Sequence, residues 1–162
     1  MVVGIGGNIA DTRVFEDIFV QKLKAAGVDA VAGYAALPAG VPPGDPRWTA
    51  AIEASGAGGL LSVRLLRVDT KTQVVTTMAP APVMWGAWGG WYGPAVVPMP
   101  EVYQYDVASV ETDLWDVKTH RVVWAGTTDT LNPSSVQKET PGFADVIIGQ
   151  LAARGLVPGT GK

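Results

Sequence analysis

The sequence is defined first by what it lacks. It contains no cysteine, which excludes disulfide bonds, thiolate catalysis and cysteine-based zinc sites. No apolar run approaches the roughly 20 residues that a membrane-spanning helix needs. No cluster of lysine and arginine offsets the net charge of -3, so nucleic-acid binding is not expected.

The length and composition are those of a globular domain. With 162 residues, the chain is predicted to form a single domain over residues 1–162 that buries about 70% of its unfolded surface. Hydrophobic residues make up 48% of the chain and charged residues only 17%, which predicts an ample apolar core.

Apolar periodicity and helix-breaking residues predict an alternation of strands and helices. Asp45 is a predicted N-cap, as are Thr140 and either Asp11 or Thr12. The first half is predicted to form strand 2–5, helix 13–26, strand 28–36 and helix 46–55. Strands 60–68 and 73–78 follow, joined by a turn at 69–72, and a loop comes after them. Strands 101–117 and 121–128, joined by a turn at 118–120, lead to the last helix at 141–154. We therefore predict a two-layer α/β (α+β) domain, with a mixed β-sheet and about three helices packed on it.

The predicted loop at residues 79–100 differs from the rest of the chain. It is rich in proline, has four glycines and three tryptophans, and carries no charged side chain. Proline suits neither a helix interior nor a central strand, so we expect an inserted loop. Trp85, Trp88, Trp91 and Tyr92 are its candidate binding residues, because exposed aromatic clusters mark contacts with proteins, membranes or carbohydrates. A lid folded over one sheet face explains the same residues equally well.

Other side chains suggest chemistry only weakly. His120 is the only histidine, and Asp116 could orient it as a general base, but no nucleophile is evident for it to activate. Residues 4–8 (GIGGN) lack the third glycine of a dinucleotide-binding motif. Period-two geometry places Glu111 and Asp113 on one strand face and Asp116 on the other, which argues against a shared metal site or carboxylate pair. We predict no catalytic residue, no metal and no cofactor.

Five short segments carry a resemblance to known proteins: residues 14–17 (VFED), 23–28 (LKAAGV), 55–61 (SGAGGLL), 110–119 (VETDLWDVKT) and 123–126 (VWAG). On these segments the chain resembles uncharacterised bacterial lipoproteins of the cell envelope. It is similar, more distantly, to a fold group that includes the N-terminal domain of the Tol-system periplasmic protein, the penicillin-binding-protein activator lipoproteins and the curli secretion-channel lipoprotein.

The resemblance implies an exported protein that works through protein contacts. It implies a removed signal peptide and a lipidated cysteine upstream of these residues, and therefore a periplasmic domain anchored to the outer membrane. His120 stands where such lipoproteins usually have glycine, so we expect a positive φ there.

Two functional hypotheses follow from the sequence. The first is a non-enzymatic periplasmic module for protein binding or envelope assembly, with a protein partner or self-association. The alternative is a carbohydrate-binding or carbohydrate-active protein, in which the aromatic rings of the loop stack on glycans such as peptidoglycan.

Overall fold

The computed structural model describes the backbone of residues 1–85 and 90–158, and the side chains of residues 1–79 and 98–158. The strands lie in the order β1-β2-β3-β4, with β1 parallel to β2 and the other neighbours antiparallel. The elements are β1 (Val2–Ile5), α1 (Ile9–Ala25), α2 (Gly33–Ala36), α3 (Pro46–Ala54), β2 (Gly59–Trp85), β3 (Gly90–Asp116), β4 (Arg121–Leu131) and α4 (Val136–Ala153). The predicted fold class is confirmed.

The core lies between the sheet and the pair formed by α1 and α4. Phe19 and Ile147 are fully buried there, and the Phe19 ring meets the Phe143 ring edge-on, with 6.0 Å between centroids. Sheet residues such as Leu61 and Trp124 complete the apolar cluster. No helix in the described part of the chain has the length and apolarity to cross a bilayer.

Helix ends were predicted with mixed success. Asp45 caps α3 by accepting a hydrogen bond from the Arg47 backbone, as predicted. The first helix starts earlier than predicted, because Asn8 is its N-cap. The last helix also starts earlier: Ser135 caps it and Thr140 lies inside, so the Thr140 cap was wrong. The prediction assumed that Pro141 begins the helix, whereas Pro141 lies inside it and removes one backbone hydrogen bond to the preceding turn.

The predicted strand at residues 28–36 was wrong. Only Ala32 bridges to Val2, and the chain then turns into the short α2. A buried carboxylate explains the turn: Glu16 is 2% exposed, and its two oxygens accept the backbone N–H groups of Gly4 and Tyr34, each at 2.9 Å. Burial raises the pKa of Glu16. Gly33 is required beside it, since a Cβ there would lie 2.7 Å from a Val3 methyl carbon.

The predicted turn at residues 69–72 and the loop at residues 79–100 are also corrected. Residues 69–72 continue β2 and pair with residues 104–107 of β3, and the backbone at residues 79–85 and 90–100 continues the same two strands. Threonine at positions 70 and 72 favours a strand. Proline is tolerated because a strand with one unpaired edge can direct the missing N–H away from the ladder.

Candidate functional site

The candidate site is an arm formed by the outer parts of β2 and β3. β1 pairs with β2 only over residues 61–64, and β4 reaches along β3 only as far as Val107. Beyond this point β2 and β3 continue as a two-stranded ladder, residues 70–85 against residues 90–106, which we call the arm. The rest of the described chain is the body. Sixteen residues at about 3.3 Å each make the arm roughly 50 Å long.

The root of the arm is the end nearest the body, where β4 stops at an Asn-Pro sequence. Asn132 has a φ of 47°, and its backbone N–H donates to the Asp106 carbonyl at 2.7 Å. The Asp106 N–H donates in return to the Asn132 side-chain oxygen at 3.0 Å. Thr70 donates its hydroxyl to the Asp106 carboxylate from β2. These bonds turn the chain away before Pro133, so β4 does not follow β3 along the arm.

The arm exposes apolar side chains on both faces. Val74 and Val102 lie opposite each other on the face that continues the helix-covered side of the sheet, and they are 62% and 64% exposed. Met78 on the same face is 68% exposed. Met99 and Tyr103 are about half exposed on the other face. A valine pair of this kind forms a core contact when a helix covers it, yet here it faces solvent.

The predicted aromatic binding residues belong to the far end of the arm. By its backbone, Trp85 ends β2, and Trp91 and Tyr92 follow the first residue of β3. Trp88 lies outside the described residues, as do the side chains of the other three. Their role in binding therefore stays a prediction.

His120 occupies the β3–β4 turn with a φ of 54°, which confirms the predicted positive φ. Its Nε2 atom lies 3.2 Å from the Glu53 carboxylate of α3. Asp116 does not orient the imidazole. Its carboxylate instead accepts the Thr119 backbone N–H at 2.8 Å, and this bond lowers the pKa of Asp116. The hydrogen-bond partner of His120 among the described residues is thus Glu53, and the hypothetical pair of His120 with Asp116 does not form.

The acidic residues of β3 lie on different sides of the strand, as predicted. Glu111 and Asp113 share the sheet face away from α1 and α4, where Arg64 forms an ion pair with Glu111. Burial raises the pKa of Asp113, and the neighbouring Glu111 charge adds to the shift. Asp116 lies at the turn. Within residues 1–85 and 90–158, no three His, Asp or Glu side chains are grouped closely enough to hold a metal ion.

A cleft of about 420 Å³ lies beside the root of the arm, between α1 and α4. Phe15 and Phe143 stand on its two helical walls, with ring centroids 6.1 Å apart. Val63, Leu65 and Val110 are among the sheet residues that line it. The sequence did not reveal this cleft, because its walls come from segments more than 100 residues apart and no local pattern joins them.

The glycine-rich turn at residues 4–8 borders the cleft. Gly6 and Gly7 have φ values of 95° and 78°, and they lead the chain from β1 into the Asn8 cap of α1. Asp11 and Glu139 also line the cleft, whereas no lysine, arginine or histidine is among its lining residues. The turn therefore has the backbone freedom that phosphate binding uses, without a cationic side chain to match a phosphate.

Comparisons with known proteins assign no family. No family model matches the chain, and no curated protein matches it. Among solved structures it is similar to the PelC dodecamer from Paraburkholderia phytofirmans, with 15% identity, a TM-score of 0.47 and coverage of 93% of this chain and 81% of that chain. A point variant of that dodecamer gives 16%, 0.46, 93% and 83%. The lipoprotein GNA1162 from Neisseria meningitidis is 11% identical, with a TM-score of 0.35 and 94% of each chain covered.

Proposed function

We propose that this chain is a non-enzymatic protein-binding module and that the arm is its contact surface. The observation that carries the proposal is the exposure of the Val74–Val102 pair, Met78 and Met99 on a ladder that no third strand joins among the described residues. A two-stranded ribbon alone is at best marginally stable in water. A partner that covers the arm stabilises it by about 25 cal/mol for each Å² of apolar surface buried.

The edges of the arm suit strand pairing. Natural sheets protect exposed edges with charged side chains, above all lysine. Between Lys71 and Glu101 the chain has no charged residue, so the arm lacks this protection, and residues 72–79 form an edge segment that no proline interrupts either. Unpaired backbone N–H and C=O groups along such an edge can accept a strand from another protein. A second copy of this chain is the simplest donor, since its own arm has edges of the same kind.

The aromatic residues of the arm are the proposed anchors. The backbone places Trp85 at the end of β2 and Trp91 and Tyr92 at the start of β3, and Trp88 lies between them in the sequence. Tryptophan and tyrosine contribute large contact areas and dominate many protein interfaces. They are therefore expected to contribute most of the binding free energy, with the valines and methionines extending the same surface.

A charge-balanced variant tests the proposal. Val74→Lys combined with Val102→Glu removes the exposed valine pair but keeps a favourable cross-strand contact, so the ladder is retained. We expect it to lose concentration-dependent association in sedimentation velocity while keeping the melting temperature of the monomer. Val123→Lys is the matched control on exposed β4, and it should associate normally.

The remaining outcomes separate the alternatives. A wild-type chain that stays monomeric, and that crosslinks to no cellular protein through a photoreactive residue at position 74, would contradict the proposal. Binding to purified sacculi or a glycan panel that depends on the four aromatic residues would instead favour the carbohydrate-binding alternative. A protein-binding module should ignore both ligands.

We also propose that the module is located in the bacterial cell envelope, as the sequence resemblance implies. The finer proposal is a periplasmic domain that an upstream lipidated cysteine anchors to the outer membrane. Labelling the full-length gene product with palmitate and fractionating the membranes tests it. A product that takes up no label and remains in the cytosolic fraction would contradict the proposal.

A further inference from the structure

We propose that the cleft between α1 and α4 binds a small amphiphilic amine, with the apolar part of the ligand against the sheet and its ammonium group at the acidic rim. This inference does not rest on the arm as a protein-binding surface. The volume of about 420 Å³ lies within the range of about 300–1,000 Å³ typical of small-molecule sites.

The apolar part of the ligand is inferred from the floor and walls. Leu65 and Val68 line the cleft and are 48% and 54% exposed, so they form an apolar surface that water can reach. Val110 continues this surface, and the rings of Phe15 and Phe143 flank it. A ligand in the cleft covers side chains that the fold itself leaves open to water.

The charge of the ligand is inferred from the rim. Asp11 and Glu139 supply two carboxylates, and no lining residue is basic. Each carboxylate lies in the first turn of a long helix, where the helix dipole provides about half a positive charge. Each carboxylate carries one full negative charge and each helix N-terminus about half a positive charge, so the net charge at the rim is negative. An ammonium group is therefore favoured over a carboxylate, sulfate or phosphate.

Hydrogen-bonding groups at the rim match the same ligand. Glu139 accepts from the Ser134 backbone and hydroxyl, which orients its carboxylate beside the mouth. Thr12 donates its hydroxyl to backbone carbonyls of the glycine-rich turn, which leaves its oxygen lone pairs free to accept. The two carboxylates and the Thr12 oxygen thus offer acceptors beside the opening. An ammonium group, which only donates, fits this set.

Competition among three ligands of equal chain length tests the proposal. N-phenyl-1-naphthylamine reports occupation of the cleft by its fluorescence, and decylammonium, decanol and decanoate then compete with it below their aggregation concentrations. We expect decylammonium to displace the probe at a concentration about tenfold lower than decanoate, with decanol between them. Equal displacement by decylammonium and decanoate would overturn the proposal.

Variants locate the binding and its charge preference. Leu65→Gln with Val68→Gln should weaken all three ligands at least about tenfold, whereas Val122→Gln with Val123→Gln on β4 should not. Asp11→Asn with Glu139→Gln should abolish the preference for decylammonium while the probe still binds. Melting curves confirm that each variant is folded.

The arm provides the decisive control. Val74→Lys with Val102→Glu should leave ligand binding unchanged, although it is expected to abolish association through the arm. If this variant loses the probe while the Leu65 and Val68 variant keeps it, the ligand binds the arm and the cleft proposal is wrong. The two proposals therefore fail in different measurements.

Discussion

β2 and β3 pass through two environments within single continuous strands. In the body, Val63 lies opposite Thr112 with β1 and β4 on either side, and both side chains are buried. In the arm, Val74 lies opposite Val102 in the same antiparallel geometry, and both are largely exposed. The difference comes from neighbouring elements, because two helices cover the body, whereas no helix in the described part of the chain covers Val74 or Val102. Strand-forming residues alone do not decide whether a side chain is buried.

The comparison also separates stability from binding. Apolar surface that is already buried contributes to the free energy of unfolding, whereas exposed apolar surface is available to a partner. Substitutions in the body should therefore affect folding first, and substitutions in the arm should affect association first.

The largest effect is expected from Phe19→Ala. The Phe19 ring is 0% exposed, and its loss leaves a cavity beneath the sheet. We expect the free energy of unfolding to fall by about 3–5 kcal/mol in urea denaturation. Tyr103→Ala removes an aromatic side chain from the arm and should cost less than about 1 kcal/mol. Equal losses in the two variants would show that the arm is as tightly integrated as the body.

Glu16→Gln should destabilise the body by about 1–3 kcal/mol at pH 4, because one of the two backbone N–H groups loses its acceptor. Burial raises the pKa of folded Glu16 above the ordinary 4.5. The contribution of Glu16 to the free energy of unfolding is therefore fully present below pH 4.5, and it is lost as the pH rises through the raised pKa. Glutamine does not titrate. The difference in the free energy of unfolding between the wild type and Glu16→Gln should therefore decrease from pH 4 to pH 7.

Urea denaturation at both pH values measures this difference. Asp29→Asn, at an exposed position after α1, serves as the control. A difference that widens with pH would contradict the assignment of the shift to burial.

His120→Gly should raise the free energy of unfolding by about 1 kcal/mol, because glycine removes the cost of a left-handed conformation. The lost contact with Glu53 is exposed and offsets little of this gain. Thr119→Gly is the control, since the positive φ in this turn belongs to His120. Thermal unfolding that shows no gain for His120→Gly, or the same change for both variants, would argue against strain at His120.

The smallest effect is expected from shortening the arm. Replacing residues 75–101 by Asn-Gly joins the facing pair Val74 and Val102 through a two-residue hairpin turn. We expect the free energy of unfolding to change by less than about 1 kcal/mol, because the loop-closure entropy recovered over nearly four halvings of length, about 2 kcal/mol, is offset by the loss of a marginally stable ladder. Association should be lost. Unfolding of the shortened chain would mean that the body depends on the arm.

Local chemistry was predictable where a few neighbouring residues decide it. The Asp45 cap and the positive φ at His120 follow from single-residue preferences, and both are confirmed. The opposite faces of Asp113 and Asp116 follow from the period of a strand. The β3–β4 pairing was predicted as well, because its two strands are joined by a short turn.

Predictions failed where the partner of a segment lies far along the chain. Residues 69–72 are polar and resemble a turn, but their ladder partners at residues 104–107 make them strand. The prolines of the arm argued for a loop because central strands exclude them, and the sequence does not reveal that this ladder has only two strands. The cleft escaped prediction for the same reason, since α1 and α4 meet only after the chain has folded.

The fold class, the absence of cysteine chemistry, the Asp45 cap and the turn at His120 all followed from the sequence. These depend on composition, periodicity and the conformational preferences of single residues. The folded arrangement was needed to see how far β2 and β3 continue together, which of their valines are buried, and where a cleft opens beside them. Those properties depend on where neighbouring strands and helices end in space, and no local stretch of sequence contains that information.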